Sequence, residues 1–462
     1  MKVCIVVEGT YPYVTGGVST WIQMLVENMS DVNFDVVHLA PWRWTRSFGY
    51  KLPKNLNNIY EHLLFSLDYK YNSTLDLKRI INHINDLISF SKSQKSQKLS
   101  EIIKEIAGKN IDFVLRTKAF WEFLVDVYTK HFQFEGFTSF HWTVVGFLIP
   151  ILGALQAIPP KADIYHSTTT GYASLSALVG KYIHNGKLVI TEHGIYHRER
   201  EIEITKSKSI QEVYKNTWIE IFKLISETVY RECDFLTTLF EKNQLFQLEL
   251  NSDFKKMRVI ANGVDVDKFG NIKRIEHDTF NIAIIGRVVP IKDIITGIKA
   301  FDIVSKEVPN SKLYIIGPTD EDEDYYKRCT QLVNLFELND KVVFTGKVNV
   351  LDYYGLIDAL LISSISEGQP LVQLEAMASG IPVVTTNVGN CSEIAFDPDG
   401  QSGFVVEPKD YNSMAEKLIE LAKNKELWNT FSSNGKKIVR EKYRLDQMIK
   451  AYKELYMEVL KV

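Results

Sequence analysis

Short apolar runs, each leading through a turn into a helical stretch, constrain this chain more than any other feature. In the second half they come in regular order: NIAII at 281–285, KLYII at 312–316, VVFT at 342–345, ALLI at 359–362 and VVT at 383–385. Uninterrupted apolar strands alternating with helices are the pattern of a parallel α/β sheet covered on both faces. The first half opens the same way, with KVCIVV at 2–7, a glycine-containing turn and a helix expected over 19–29. Further strands are expected at 36–39, 164–166, 188–191 and 235–238. The pattern predicts two consecutive doubly wound, Rossmann-like domains. Such sheets bind ligands beyond the C-terminal ends of their strands, and two in series would face a shared cleft.

Between residues 42 and 160 the strand rhythm stops. Residues 75–131 read as helices (LDLKRIINHINDLI, LSEIIKEIAG, AFWEFLVDVY), with a mobile joint at the polar stretch SKSQKSQK, 91–98. This region is a helical insertion in the first domain. The apolar segment 143–158, TVVGFLIPILGALQAI, is shorter than the ~20 residues a bilayer crossing needs and carries Pro150 in its middle, so it reads as a buried helix. The domains are expected over 1–275 and 276–443, followed by a C-terminal helix over 444–462. The acidic run DEDED at 320–324 reads as a solvated helix start, favoured by the helix dipole.

Composition agrees with two or three domains: 462 residues at roughly 150 per domain. With 45% hydrophobic and 24% charged residues the chain is not largely disordered. Its balance of 54 basic against 57 acidic residues excludes the basic excess of a nucleic-acid-coating protein. Cys4, Cys233, Cys329 and Cys391 stand too far apart for zinc-site spacing and read as reduced, intracellular thiols. The start MKVCIVVEGT lacks the apolar region and cleavage site of a secretory signal, so a cytoplasmic protein is expected.

The chemistry gathers at predicted strand ends. After ALLI comes SSISEGQPLVQLEAMASGIP, with Glu367 and Glu375 separated by seven residues. Eight steps at about 100° each overshoot two turns by about 80°, so the two carboxylates would not stack on one helical face. With Glu367 in the loop ahead of the helix, both can line one pocket. Pro370 suits the first turn, where its missing N–H costs nothing, and the open N–H groups there suit a phosphate. Directly after NIAII, Gly286-Arg287-Val-Val-Pro-Ile-Lys292-Asp293 sets two cations where a diphosphate would lie. Thr15-Gly16-Gly17-Val18 follows the first strand, where paired glycines admit a ligand to the backbone. Thr191-Glu192-His193-Gly194 ends another strand, and Asn262-Gly263-Val264-Asp265 reads as a turn closing the first domain. Each has an ordinary structural reading when taken singly. Their joint placement after strands is what points to a ligand site.

The block SEGQPLVQLEAMASGIPVV resembles the E-x7-E signature of retaining glycosyltransferases with two Rossmann-like domains, the GT-B fold of family 4. GRVVPIKD resembles that family's Arg…Lys diphosphate loop and NGVD its interdomain signature, so the resemblance covers roughly 1–40 and 160–440. EGTYPYVTGGVSTWI, HSTTTGYA, TEHGIYHRERE and VGNCSEI are similar to the branch that polymerises the Pel exopolysaccharide. The resemblance implies a UDP-sugar donor carrying a hexose or N-acetylhexosamine, a growing polysaccharide as acceptor, and docking to an inner-membrane secretion complex. It implies that Glu375 holds the ribose hydroxyls and Glu367 the hydroxyls of the donor sugar. The backbone of Gly368, Gln369, Pro370 and Leu371 would lie near sugar and phosphates, while Arg287 and Lys292 grip the diphosphate. Gly16 and Gly17 would approach the phosphates, His193 would sit beside the reacting face of the sugar, and Val348 would contact the base. Glu8 and His166 are second-rank site residues. No Asp-x-Asp metal motif stands directly at a strand end in either domain, so no divalent metal and no cofactor are expected. The resemblance further implies that the final helix crosses back to the first domain. A sugar-nucleotide epimerase and a non-catalytic nucleotide-sugar-binding subunit are the alternatives.

Overall fold

The computed structural model describes residues 1–43, 47–66, 76–88 and 95–461. Two compact units divide the chain: Met1–Ile260 together with Ala451–Val462, and Ala261–Lys450. The division falls before the expected 275/276 boundary for a packing reason. Val264, Val266 and Phe269 are buried in the same apolar cluster as Ala283, Leu360, Leu374 and Met377, which ties the NGVD turn and its short helix to the second unit.

In chain order the first unit comprises β1 (Lys2–Glu8), α1 (Gly17–Glu27), β2 (Asn33–Ala40), β3 (Leu56–Leu63), α2 (Leu77–Ile88), α3 (Lys95–Ile106), α4 (Lys118–Val127), α5 (Phe137–Gln156) and β4 (Ile164–Ser167). It continues with α6 (Tyr172–His184), β5 (Lys187–Glu192), α7 (Tyr196–Lys206), α8 (Glu212–Glu232), β6 (Phe235–Thr238), α9 (Glu241–Glu249) and β7 (Met257–Val259). Its sheet runs β3-β2-β1-β4-β5-β6-β7 with every pairing parallel. The order reverses between β1 and β4, the switch point where doubly wound folds leave room for ligands. Residues 3–7 of β1 are all buried, as a central strand covered on both faces requires.

β3 lies inside the stretch 42–160, where no strand is expected from the sequence. Its sequence, LNNIYEHL, carries exposed polar residues and no continuous apolar run, because an edge strand is covered on one side only. The joint placed at 91–98 lies partly outside the described residues, at 91–94, and 95–98 begin α3. Helix α5 is longer than the apolar segment suggested: Phe137–Trp142 extend it to 20 residues, with Pro150 inside it. By length and composition it could cross a membrane, yet half of its most apolar stretch is buried within the protein. Phe147, Leu148, Ile151 and Leu155 join Leu175 of α6 and Leu224 and Ile225 of α8 in one core.

The second unit comprises α10 (Val266–Gly270), β8 (Phe280–Ile285), α11 (Ile294–Glu307), β9 (Ser311–Ile316), α12 (Glu323–Leu335), β10 (Val342–Gly346), α13 (Leu351–Tyr354), β11 (Ala359–Ile362), α14 (Leu371–Ala378) and β12 (Val383–Thr386). There follow α15 (Cys391–Ala395), a small hairpin of β13 (Phe396–Asp397) and β14 (Gly400–Gln401), then β15 (Gly403–Val406), α16 (Tyr411–Lys423), α17 (Lys425–Lys442) and α18 (Leu445–Val459). The sheet order β10-β9-β8-β11-β12-β15 is that of a Rossmann fold, with its switch point between β8 and β11. From Ala451 onward α18 belongs to the first unit, where Tyr452 and Tyr456 are fully buried. All four cysteines are free and buried.

Candidate active site

At the switch point of the second unit two loops meet. The one after β8 makes a single 3-10 turn over Pro290–Lys292, with Asp293 in the left-handed region at φ 46°. The one after β11 runs from Ser363 to Pro370. Ile365 N–H donates to Ile291 O at 2.8 Å and Ser363 Oγ to Lys292 O at 2.9 Å, which lock the loops together. Lys292 Nζ thereby reaches Glu367 Oε1 at 2.5 Å, and Ser364 Oγ donates to the same oxygen at 2.5 Å. With side chains only 22% and 11% exposed, this pair is largely withdrawn from water and correspondingly well defined.

Pro370 takes the N-cap position of α14 and not its first turn, in extended conformation and with no side-chain cap, so the following N–H groups are left for a ligand. Its neighbour Gln369 is 4% exposed and structurally committed. Gln369 Oε1 accepts from Asn262 N–H at 2.5 Å and its carbonyl from Asn262 Nδ2 at 2.9 Å, so NGVD braces the site loop. Gly368 O likewise accepts from Asn390 N–H at 2.9 Å. Behind this loop Gly389 sits at φ 53°, and a Cβ there would fall 2.2 Å from the carbonyl oxygens of Glu367 and Gly368. Only glycine allows this approach.

Glu375, on α14, accepts from Tyr354 Oη at 2.6 Å. Burial pushes its carboxyl above the ordinary range, opposed by that hydrogen bond and by the charge of Lys268. Arg287 points elsewhere, donating to Glu321 Oε1 at 2.6 Å. Val348 lies partly exposed in the loop after β10. Tyr354, Ser364 and Glu321 are site residues that sequence reasoning missed. No local spacing marks Tyr354 or Glu321, which come from other strand–helix connections, whereas Ser364 lies three residues before Glu367 in the same loop.

In the first unit, Gly16 is the N-cap of α1, and a Cβ on Gly16 or Gly17 would meet nothing within 4 Å among the described residues. Gly16 N–H donates to Tyr50 Oη at 3.3 Å. His193, just beyond β5, packs edge-on against Trp21 at 4.7 Å between ring centroids, and its buried Nε2 has no hydrogen-bond partner among the described residues. Burial lowers its pKa to about 4, so the imidazole is neutral at pH 7. Glu192 beside it is wholly structural, accepting from Thr170, Tyr230 and Gln247 side chains and from Tyr196 N–H.

Two second-rank residues are corrected. His166 is fully buried, with Nδ1 2.6 Å from Tyr456 Oη and Nε2 2.7 Å from Thr191 Oγ1, so both ring nitrogens are used inside the protein. Glu8 accepts from Ala173 N–H at 2.8 Å and Tyr196 Oη at 3.3 Å, which commits it to the starts of α6 and α7.

Two parallel, doubly wound α/β units, the second with a loop-borne Lys–Glu pair before an uncapped helix, define the architecture of a GT-B protein. The fold is matched over 99% of this chain by Anabaena HepE in complex with UDP-glucose, over 100% of that chain, at TM-score 0.64 and 13% identity. The family model described as glycosyl transferases group 1 matches residues 265–438. The chain belongs to the family described as domain of unknown function DUF3492, whose model matches residues 1–255, more than half its length.

Among curated relatives, N-acetyl-alpha-D-glucosaminyl L-malate synthase of Bacillus anthracis is 31% identical over 193 residues, 41% of this chain. The chain spans 48% of that relative's length. The UDP-Gal:alpha-D-GlcNAc-diphosphoundecaprenol alpha-1,3-galactosyltransferase of Escherichia coli is 26% identical over 315 residues, 65% of this chain and 76% of that protein.

Proposed function

We propose that this protein is a retaining glycosyltransferase that moves a hexose or N-acetylhexosamine from a UDP-sugar onto a growing exopolysaccharide of the Pel type, without a divalent metal. The observation that carries this reading is the Lys292–Glu367–Ser364 cluster set ahead of the uncapped start of α14. The Escherichia coli relative, named for UDP-Gal, and HepE, solved with UDP-glucose, support the donor class.

Breaking the bond between the anomeric carbon and the nucleoside diphosphate puts negative charge on the leaving group. Prepositioned cations and backbone N–H groups lower that barrier. In this reading Lys292 and Arg287 take the diphosphate together with the N–H groups that open α14. Glu367, oriented by Lys292 and Ser364, holds hydroxyls of the donor sugar and is not a covalent nucleophile. Glu375 takes the ribose. His193, neutral and with a free Nε2, meets the sugar. The acceptor hydroxyl attacks on the face the diphosphate leaves, so configuration is kept. The helical insertion shapes the acceptor side or docks a secretion partner.

Incubation with UDP-glucose, UDP-galactose and their N-acetyl counterparts in the presence of a chelator tests this. The expected result is polymer whose new linkages have the donor's anomeric configuration by NMR, and no glycosyl adduct on Glu367. Inverted linkages, or an adduct on Glu367, contradict the mechanism. Donor isomerised without transfer would make the protein an epimerase.

A further inference from the structure

The acidic run 320–324 does more than start a helix. Asp322 caps α12, its Oδ1 accepting from Tyr325 N–H at 2.9 Å. One residue earlier Glu321 turns back to Arg287, with Nη1 donating to Oε1 at 2.6 Å. The approach is set by the backbone. Val288 N–H donates to Pro318 O at 3.0 Å, and Gly317 lies so close to Gly286 that a Cβ on it would fall 2.1 Å from the Gly286 carbonyl oxygen. The loops after β8 and β9 are thus joined, and the cap at Asp322 fixes where Glu321 stands. Its partner is one of the two cations assigned to the diphosphate; the other, Lys292, is held by Glu367. At 40% and 45% exposure the Arg287–Glu321 pair is solvated, and solvated pairs open readily to a better anion.

We propose that Glu321 is a charge filter at the diphosphate site, weakening the hold on the product UDP more than the hold on the UDP-sugar donor. The inference rests on the nucleotide-sugar reading above. In a UDP-sugar the phosphate next to the sugar is a diester. Once the sugar has left, that phosphate is terminal and its second ionisation, at about pH 6, adds close to one further negative charge. Any diphosphate must displace the Glu321 carboxylate from Arg287. Only the product must also bear that carboxylate against its added charge, so like-charge repulsion falls on UDP selectively. Glu321 therefore promotes product release and limits inhibition by UDP, and it contacts no reacting atom itself.

The test is calorimetric titration of the full chain and two variants with UDP and with whichever UDP-sugar binds tightest. Glu321→Gln should tighten UDP about three- to fivefold and the UDP-sugar less than about twofold at roughly pH 8, with the difference shrinking near pH 5.5 as the terminal phosphate takes up its proton. Asp324→Asn is the control, since Asp324 belongs to the same run but faces Lys327 at 3.7 Å and is 95% exposed. It should change neither affinity. Equal tightening of both ligands, no tightening, or the same change from Asp324→Asn overturns the filter while leaving the nucleotide-sugar reading intact. Absence of UDP binding to the unaltered protein overturns that reading, and the filter with it.

Discussion

Lys292→Ala is expected to lower the transfer rate by about 10²–10³ while leaving the protein folded. Lys292 lies on a short turn and contributes no apolar side chain to the core of its unit, so its loss should lower the melting transition only by the cost of leaving the Glu367 carboxylate without its cation. Its charge is what the leaving diphosphate needs, and it also holds Glu367 at 2.5 Å, so one substitution removes a cation and loosens the sugar-binding carboxylate. Initial rates and thermal unfolding measured side by side check this. A fall in rate matched by a collapse in melting temperature would instead make Lys292 structural. Full activity in a folded variant would remove it from the chemistry.

Glu375→Ala is expected to weaken UDP by one to two orders of magnitude, on the order of the loss seen when a buried hydrogen-bonding partner of a ligand is removed. Glu375 is held by Tyr354, whose ring packs against Phe269 at 5.4 Å, so the carboxylate enters the site from a rigid base. If that carboxylate reads the ribose, the unaltered protein should prefer UDP over 2′-deoxy-UDP and the variant should lose the preference. A site built to bind a hydroxyl rejects the analogue lacking it, whereas a merely structural glutamate would weaken both ligands alike. Competition binding with the two nucleotides decides between these outcomes.

Much of the architecture was legible because parallel strands buried on both faces read as apolar runs, and β1, β8 and β11 do. The strands that escaped sequence reading lie at sheet edges. β3 carries exposed polar residues, β7 is three residues long, and β15, GFVV, follows directly on a small hairpin. The Glu367–Lys292 meeting was foreseeable as two strand-end loops, yet nothing in the spacing said that Arg287 would turn to Glu321 instead. His166 shows the opposite failure. A histidine at a strand end looked like a ligand-facing residue, but the tyrosine that satisfies its Nδ1 lies 290 positions away in the final helix. Burial set by such distant partners leaves no local mark. The same holds for Tyr354, which reaches Glu375 from a four-residue helix.

The most direct test of the central claim is calorimetric titration of the unaltered protein with UDP, ADP and GDP, without added metal. Binding of UDP in clear preference to the other two, followed by selection of one UDP-sugar, is the predicted result. Failure to bind any uridine nucleotide, or preference for ADP or GDP, would contradict the donor assignment and take the Pel-type reading down with it.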